Sequence, residues 1–517
     1  VKRLRPAAAA AAALVVTAAG CTGGDPGSGN GDQAPSPGLE PFYSQGIDWA
    51  PCTDGGSRFE CGVFEVPMDY GDPDGRRLEI AVKRLPASGR SGGSLLVNPG
   101  GPGGSGYDYA AAAPSVVGEG VRERFDVVGF DPRGVARSEP VSCLDPAGMD
   151  AYLGADLESE DGDGDPLEVT AEGLEELEES ARGFVEGCRE RAGELMMHLG
   201  TENVARDMDV LRAVLGDDRL TYLGKSYGTL IGARYADLFP DRAGAMVLDG
   251  VLAADLDALE TGVQQAGGFE TALRAFVEDC QAREECPVGT AEDGVDAGVE
   301  RIAGLLDRAG REPLENTTGD GREVGRTRVE LGISGALYSE GSWGEVRDAL
   351  GDAIEDGDGT ALLRLGDRLY GRDEPRTYTN SVSALVAVNC SDAPAPRDIG
   401  AYRDAAREAA QESPLFGASS AWAVLTCAYW PQEAVSEEWE PDAEGADPIL
   451  VVGTTRDSAT PFAWAEELAE DLDSGVLLTY DGDGHTAYGT GDACVDGAVD
   501  AYLLEDRVPE EGLTCGA

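Results

Sequence analysis

Tyr222-Leu223-Gly224-Lys225-Ser226-Tyr227-Gly228-Thr229 is the stretch on which the fold turns, and it reads G-x-S-x-G. The apolar run Leu220 to Leu223 leads in like a short buried strand. A helical pattern follows from Thr229 to Phe239 and stops at Pro240, a residue that cannot continue a helix. Strand, sharp turn, helix is the setting in which a serine is held exposed at the tip of the turn. Gly224 and Gly228 flank it because so tight a turn leaves no room for larger side chains. The same letters also describe a glycine-punctuated turn with a solvated serine, so the reading depends on the rest of the chain.

Working outward, Ser94 to Val97 is a second buried strand, running directly into Asn98-Pro-Gly-Gly-Pro-Gly-Gly-Ser-Gly106. The loop fits neither nucleotide fingerprint, having no Walker lysine and no acidic residue closing a following strand. Its other use is to present backbone N–H groups to an oxyanion. Pro99 and Pro102 lack an N–H, which leaves the glycines, Gly101 first among them. Phe125 to Asp131 and Ala245 to Gly250 read as strands, and Asn203 to Leu215 as a helix. Residues 94 to 250 therefore alternate strand and helix, which implies a parallel sheet with helices on both faces. Upstream, Cys61 to Val66 and Leu78 to Leu85 form a hairpin about Gly71-Asp-Pro-Asp-Gly75. From about Asp255 to Glu444 helical patterns dominate, the mark of an inserted lid. The sheet resumes at Pro448 to Gly453, Val476 to Tyr480 is expected as its last strand, and a helix from Val495 to Leu504 closes the chain.

The resumed sheet supplies partners for Ser226. Asp457 follows the strand that ends at Gly453, where catalytic groups collect in parallel sheets. His485 follows the next strand in Asp481-Gly-Asp-Gly-His485 and is one of only two histidines; the other, His198, precedes the elbow. The order Ser226, Asp457, His485 is that of acyl-transferring α/β-hydrolases. Tyr227, the residue after the serine, would give the second oxyanion N–H. No cofactor is implied, and two histidines without a C-x-x-C make a zinc site improbable. Asp161 to Asp165 with Glu172 has the spacing of a calcium loop, but Pro166 stands where that loop needs glycine; a solvated acidic loop is the simpler reading.

Composition narrows the class. The 517 residues carry 97 acidic and 40 basic side chains, a net charge of −57. Such a surface repels nucleic acid and anionic membranes alike. Lys2, Arg3 and Arg5 precede the short apolar run Ala7 to Ala19, as in an export signal. Ala18-Ala-Gly-Cys21 is similar to a bacterial lipobox, after which Cys21 would be lipidated and form the one link to a membrane; ordinary cleavage nearby is the alternative. Beyond Cys21 ten cysteines remain, an even number that suits disulfides in an exported protein, with sequential pairing the simplest pattern.

Together these motifs resemble a family. Asn98 to Gly106, Gly129-Phe-Asp-Pro-Arg-Gly134, Gly224 to Gly228, the Asp457 loop and the His485 loop are similar to those of secreted actinobacterial α/β-hydrolases of the tripeptidyl-aminopeptidase type, related to prolyl aminopeptidases. The resemblance implies an α/β-hydrolase fold with a helical lid. The expected division is 1–21 signal, 22–41 flexible linker, 42–254 first part of the core, 255–445 lid and 446–517 second part of the core. It also implies an exported serine peptidase taking short peptides by a free amino terminus, with Asp392 as a candidate partner for the ammonium group. A carboxylesterase on small acyl esters and a non-catalytic surface lipoprotein are the alternatives. Because like charge opposes compaction, added salt should raise the melting temperature, by about 2–4 °C for each kcal/mol of repulsion screened. Thermal melts at low and moderate ionic strength check this, and a flat or falling series contradicts it.

Overall fold

A computed structural model describes residues 37–516 apart from 54–57, 158, 160, 161, 168, 374–376, 437, 438 and 511. The expected signal segment, Cys21 and Asp161 lie outside the described residues. The strands in chain order are β1 (Ala50–Pro51), β2 (Glu60–Pro67), β3 (Arg77–Leu85), β4 (Ser94–Asn98), β5 (Asp126–Phe130), β6 (Leu220–Lys225) and β7 (Ala243–Asp249). They continue with β8 (Arg372–Asp373), β9 (Thr377–Tyr378), β10 (Ile449–Arg456), β11 (Gly475–Asp483) and β12 (Thr514–Gly516). Ten of them form one sheet in the order β1-β2-β3-β5-β4-β6-β7-β10-β11-β12; β8 and β9 pair only with each other. The strands from β5 to β12 in that order run parallel, while β1, β2 and β3 join antiparallel at one edge.

Side-chain alternation builds a core on each face. Leu95, Val97, Leu223, Val247, Leu450 and Val452 point to one side. Leu96, Tyr222, Met246, Leu248 and Val451 point to the other. All of β4 is buried, as expected for a strand with neighbours on both sides and cover on both faces. The chain has the α/β-hydrolase fold: a mostly parallel mixed sheet, helices on its faces, and a helical segment inserted between β7 and β10. The inserted segment has an apolar core of its own, around Phe276, Ile302, Leu306, Ile333, Leu350 and Leu362.

Arg133 of the Gly129–Gly134 motif locks the first half. Its guanidinium pairs with Asp207 at 2.8 and 2.6 Å and donates to the carbonyls of Pro67, Met68 and His198. Both side chains are fully buried. Every donor has an acceptor, and removing one partner of such a pair costs about 3–5 kcal/mol. His198 thus contributes its carbonyl to this lock, and burial lowers the pKa of its ring.

Five disulfides join Cys52–Cys61, Cys143–Cys188, Cys280–Cys286, Cys390–Cys427 and Cys494–Cys515, the sequential pattern. One expectation is corrected. Val476–Tyr480 does not end the sheet, because Thr514–Gly516 adds β12 beside β11. Three residues with no apolar run of their own carry too weak a signal to read, and the Cys494–Cys515 bridge brings them there. Among the described residues no helix is long and apolar enough to cross a membrane.

Candidate active site

The elbow is built as its glycines demand. Ser226 has φ 55° and ψ −128°, a backbone conformation that a side chain rarely adopts. Its N–H donates to the Asp249 carbonyl at 2.9 Å, and its own carbonyl accepts from the Thr229 N–H and hydroxyl at 2.8 and 2.6 Å. These bonds hold a conformation that costs about 1–3 kcal/mol by itself. A Cβ on Gly224 would come within 2.3 Å of the Gly228 carbonyl oxygen, so the strand and the following helix can cross here only through glycine.

Asp457 and His485 meet. His485 Nδ1 lies 2.8 Å from Asp457 Oδ1. The Asp457 carboxylate also accepts the N–H groups of Ala459, Thr460 and Thr486. Burial pushes its pKa up, but the imidazole and these amides outweigh that and hold it below the ordinary carboxylate range. A carboxylate so placed keeps the proton on His485 Nδ1, leaving Nε2 as the basic nitrogen. Ser226, Asp457 and His485 follow β6, β10 and β11, whose parallel alignment brings their carboxyl ends to one edge of the sheet.

The loop after β4 covers the elbow. The Gly100 N–H is spent on Asn98 Oδ1 at 2.8 Å. Among the described residues, the N–H groups of Gly101 and Tyr227 have no backbone acceptor. The Tyr227 hydroxyl is 2.6 Å from Thr201 Oγ1, which donates to Asp392. Asp392 is therefore corrected: each of its carboxylate oxygens accepts from Thr201, whose hydroxyl also meets Tyr227 of the elbow helix, so the group is tied into the elbow's packing. Loss of hydration pushes its pKa up to about 7.

Several residues at the site carried no sequence signal. Thr460 Oγ1 lies 3.3 Å from His485 Nδ1. The Tyr338 carbonyl accepts the His485 N–H at 2.9 Å, and the two rings stand edge to face, 5.4 Å apart. Phe269 packs on Tyr338, and Gln265 Nε2 donates to the Ala459 carbonyl. The inserted segment thus grips both the acid loop and the histidine loop. It also holds Glu330, half-buried overall, with a Ser419 hydroxyl donating to its carboxylate. Its neighbour Arg326 pairs with Asp307 instead. Loss of hydration pushes the Glu330 pKa up to about 7. Asp492, Cys494 and Cys515 also cluster, but the two sulfurs are joined to each other and offer no thiolate to a metal.

Gly100 is where the loop presses on the elbow. Its φ is 89°, and a Cβ there would lie 2.5 Å from the Lys225 carbonyl oxygen and 2.7 Å from Ser226 Cβ. Gly100→Ala should lift the loop off the elbow and lower kcat about 100-fold, with the protein still folded by circular dichroism. A variant with unaltered kcat contradicts this packing.

Comparison with known proteins agrees with this architecture. Residues 93–294 match the family described as alpha/beta hydrolase fold, and 413–515 the one described as TAP-like protein. The chain is 38% identical over 490 residues to serine protease Hip1 of Mycobacterium tuberculosis, covering 92% of each. It is 36% identical over 498 residues to carboxylesterase B of the same organism, covering 95% of this chain and 93% of that one. Tripeptidyl aminopeptidase of Streptomyces lividans is 32% identical over 482 residues, 91% of this chain and 86% of its own.

Proposed function

The chain belongs to the α/β-hydrolase family of serine hydrolases and peptidases represented by these relatives, and on that premise we propose that it is an exported serine peptidase that takes short peptides by a free amino terminus. The observation that carries the reading is the His485–Asp457 pair at the sheet edge that also bears the strained Ser226. His485 Nε2 removes the Ser226 proton as the hydroxyl oxygen attacks the scissile carbonyl. Asp457 fixes the imidazole tautomer and stabilises its positive charge. The amides of Gly101 and Tyr227 take the oxyanion, each worth about 3 kcal/mol of barrier. His485 then returns the proton to the leaving amine, and water attacks the acyl-enzyme by the same route. Five disulfides support export, since such bonds persist in oxidising surroundings.

Glu330 replaces Asp392 as the group for the substrate ammonium. Its carboxylate accepts from the Ser419 hydroxyl, and Arg326, four positions before it on the same helix, pairs with Asp307. The relative named carboxylesterase favours a second reading, hydrolysis of small acyl esters, because acyl transfer to serine is the same chemistry in both.

Chromogenic tripeptide amides with free and blocked amino termini, together with a short acyl ester, separate the readings. Turnover of the free tripeptide alone, lost in Ser226→Ala, is expected. Turnover of the ester alone would establish the esterase, and activity persisting in Ser226→Ala would remove the serine from its role. Glu330→Gln should raise KM for the free tripeptide at least about tenfold and leave the ester unaffected. A carboxylate with pKa near 7 is neutral below that pH, so free-peptide kcat/KM should fall through pH 7 more steeply than ester kcat/KM. Parallel pH profiles for the two substrates would exclude Glu330.

A further inference from the structure

Lys225 and Asp249 form an ionic pair behind the elbow that the acyl-transfer steps do not use. The G-x-S-x-G turn places no demand on its first x, yet that position holds a lysine that is almost wholly buried. Its Nζ lies 3.3 Å from Asp249 Oδ2, 2.5 Å from the Tyr488 carbonyl oxygen and 3.2 Å from Thr486 Oγ1. The Asp249 carboxylate is fully buried and accepts the N–H groups of Ala487 and Tyr488 at 2.9 and 3.0 Å. The Asp249 carbonyl accepts the N–H of Ser226. One residue therefore holds the nucleophile through its main chain and the histidine loop through its side chain.

We propose that the Lys225–Asp249 pair is a positioning device that sets the geometry between Ser226 and His485. This rests on the reading of those two residues as nucleophile and base. Stability alone does not call for charge here, since a buried ion pair can commonly be replaced by apolar side chains without loss. What an apolar pair cannot do is accept two consecutive N–H groups of the histidine loop and donate to its Tyr488 carbonyl. The carboxylate does the first and the ammonium does the second while neutralising it. The pair thus bonds the loop from both sides, one to three residues beyond His485. Small displacements between reacting groups cost rate far more than they cost binding.

The test compares wild type, Lys225→Met, Lys225→Arg and Ser226→Ala on the free tripeptide amide, with active sites titrated by a fluorophosphonate and melting temperatures recorded. Lys225→Met should lower kcat per titrated site about 10- to 100-fold with KM within about threefold, and Lys225→Arg should recover most of it. If Lys225→Met does not fold, the charge-neutral double variant Lys225→Met, Asp249→Asn is measured in its place, with the same loss expected. Unchanged kcat per titrated site, with only the melting temperature lowered, would overturn the proposal. Activity surviving in Ser226→Ala would instead overturn the underlying reading.

Discussion

Parallel register is the constraint on which the rest depends. Asn98 lies opposite Gly224, Lys225 opposite Asp249, and Asp249 opposite Val452. Strands aligned in this way deliver the loops after β4, β6, β7, β10 and β11 to the same edge of the sheet. Groups separated by more than 250 residues of chain are then brought together without a long loop, and the backbone at the strand ends is fixed on both sides by ladder hydrogen bonds. A strained residue such as Ser226 can persist only in a setting so fully determined.

The inserted helices are part of that setting rather than a loose cover. Tyr338 holds the main chain of His485, and Gln265 holds that of Ala459, so the acid and base loops are each bonded to the insertion. Its own stiffness has two sources. Cys280–Cys286 and Cys390–Cys427 restrict the chain, and Arg322 and Arg372 gather Asp150, Asp320 and Asp367 into one shielded network. In a protein with a net charge of −57, arginines are worth most where they bridge several carboxylates at once.

What was legible in the sequence was local. Gly224 and Gly228, the proline-bounded helix and the glycine loop after β4 are dictated by sterics within a few residues, and the structure contains each of them. Asp392 misled because an ammonium group calls for a carboxylate and the inserted segment offers many that sequence cannot tell apart; only the packed structure brings Thr201 against it from 191 positions away. Glu330, Tyr338 and Thr460 sit in sequence contexts with nothing unusual about them, so no pattern could single them out. Asp249 did end a recognisable strand, and an acid at such an end is a signal that a closer reading of strand termini would catch.

The sequence by itself determined the succession of core strands and helices as far as β11, the identity of the elbow, and which acid and which histidine follow the later strands. These depend on residue size, apolar period and missing N–H groups, all of which act over short spans. Tertiary structure alone decided that Thr201 meets Asp392, which residue of the insertion holds His485, and that Lys225 and Asp249 join the elbow to the histidine loop. Those depend on side chains meeting across the sheet edge, and the distances between them are set only when the whole sheet and its inserted helices have packed.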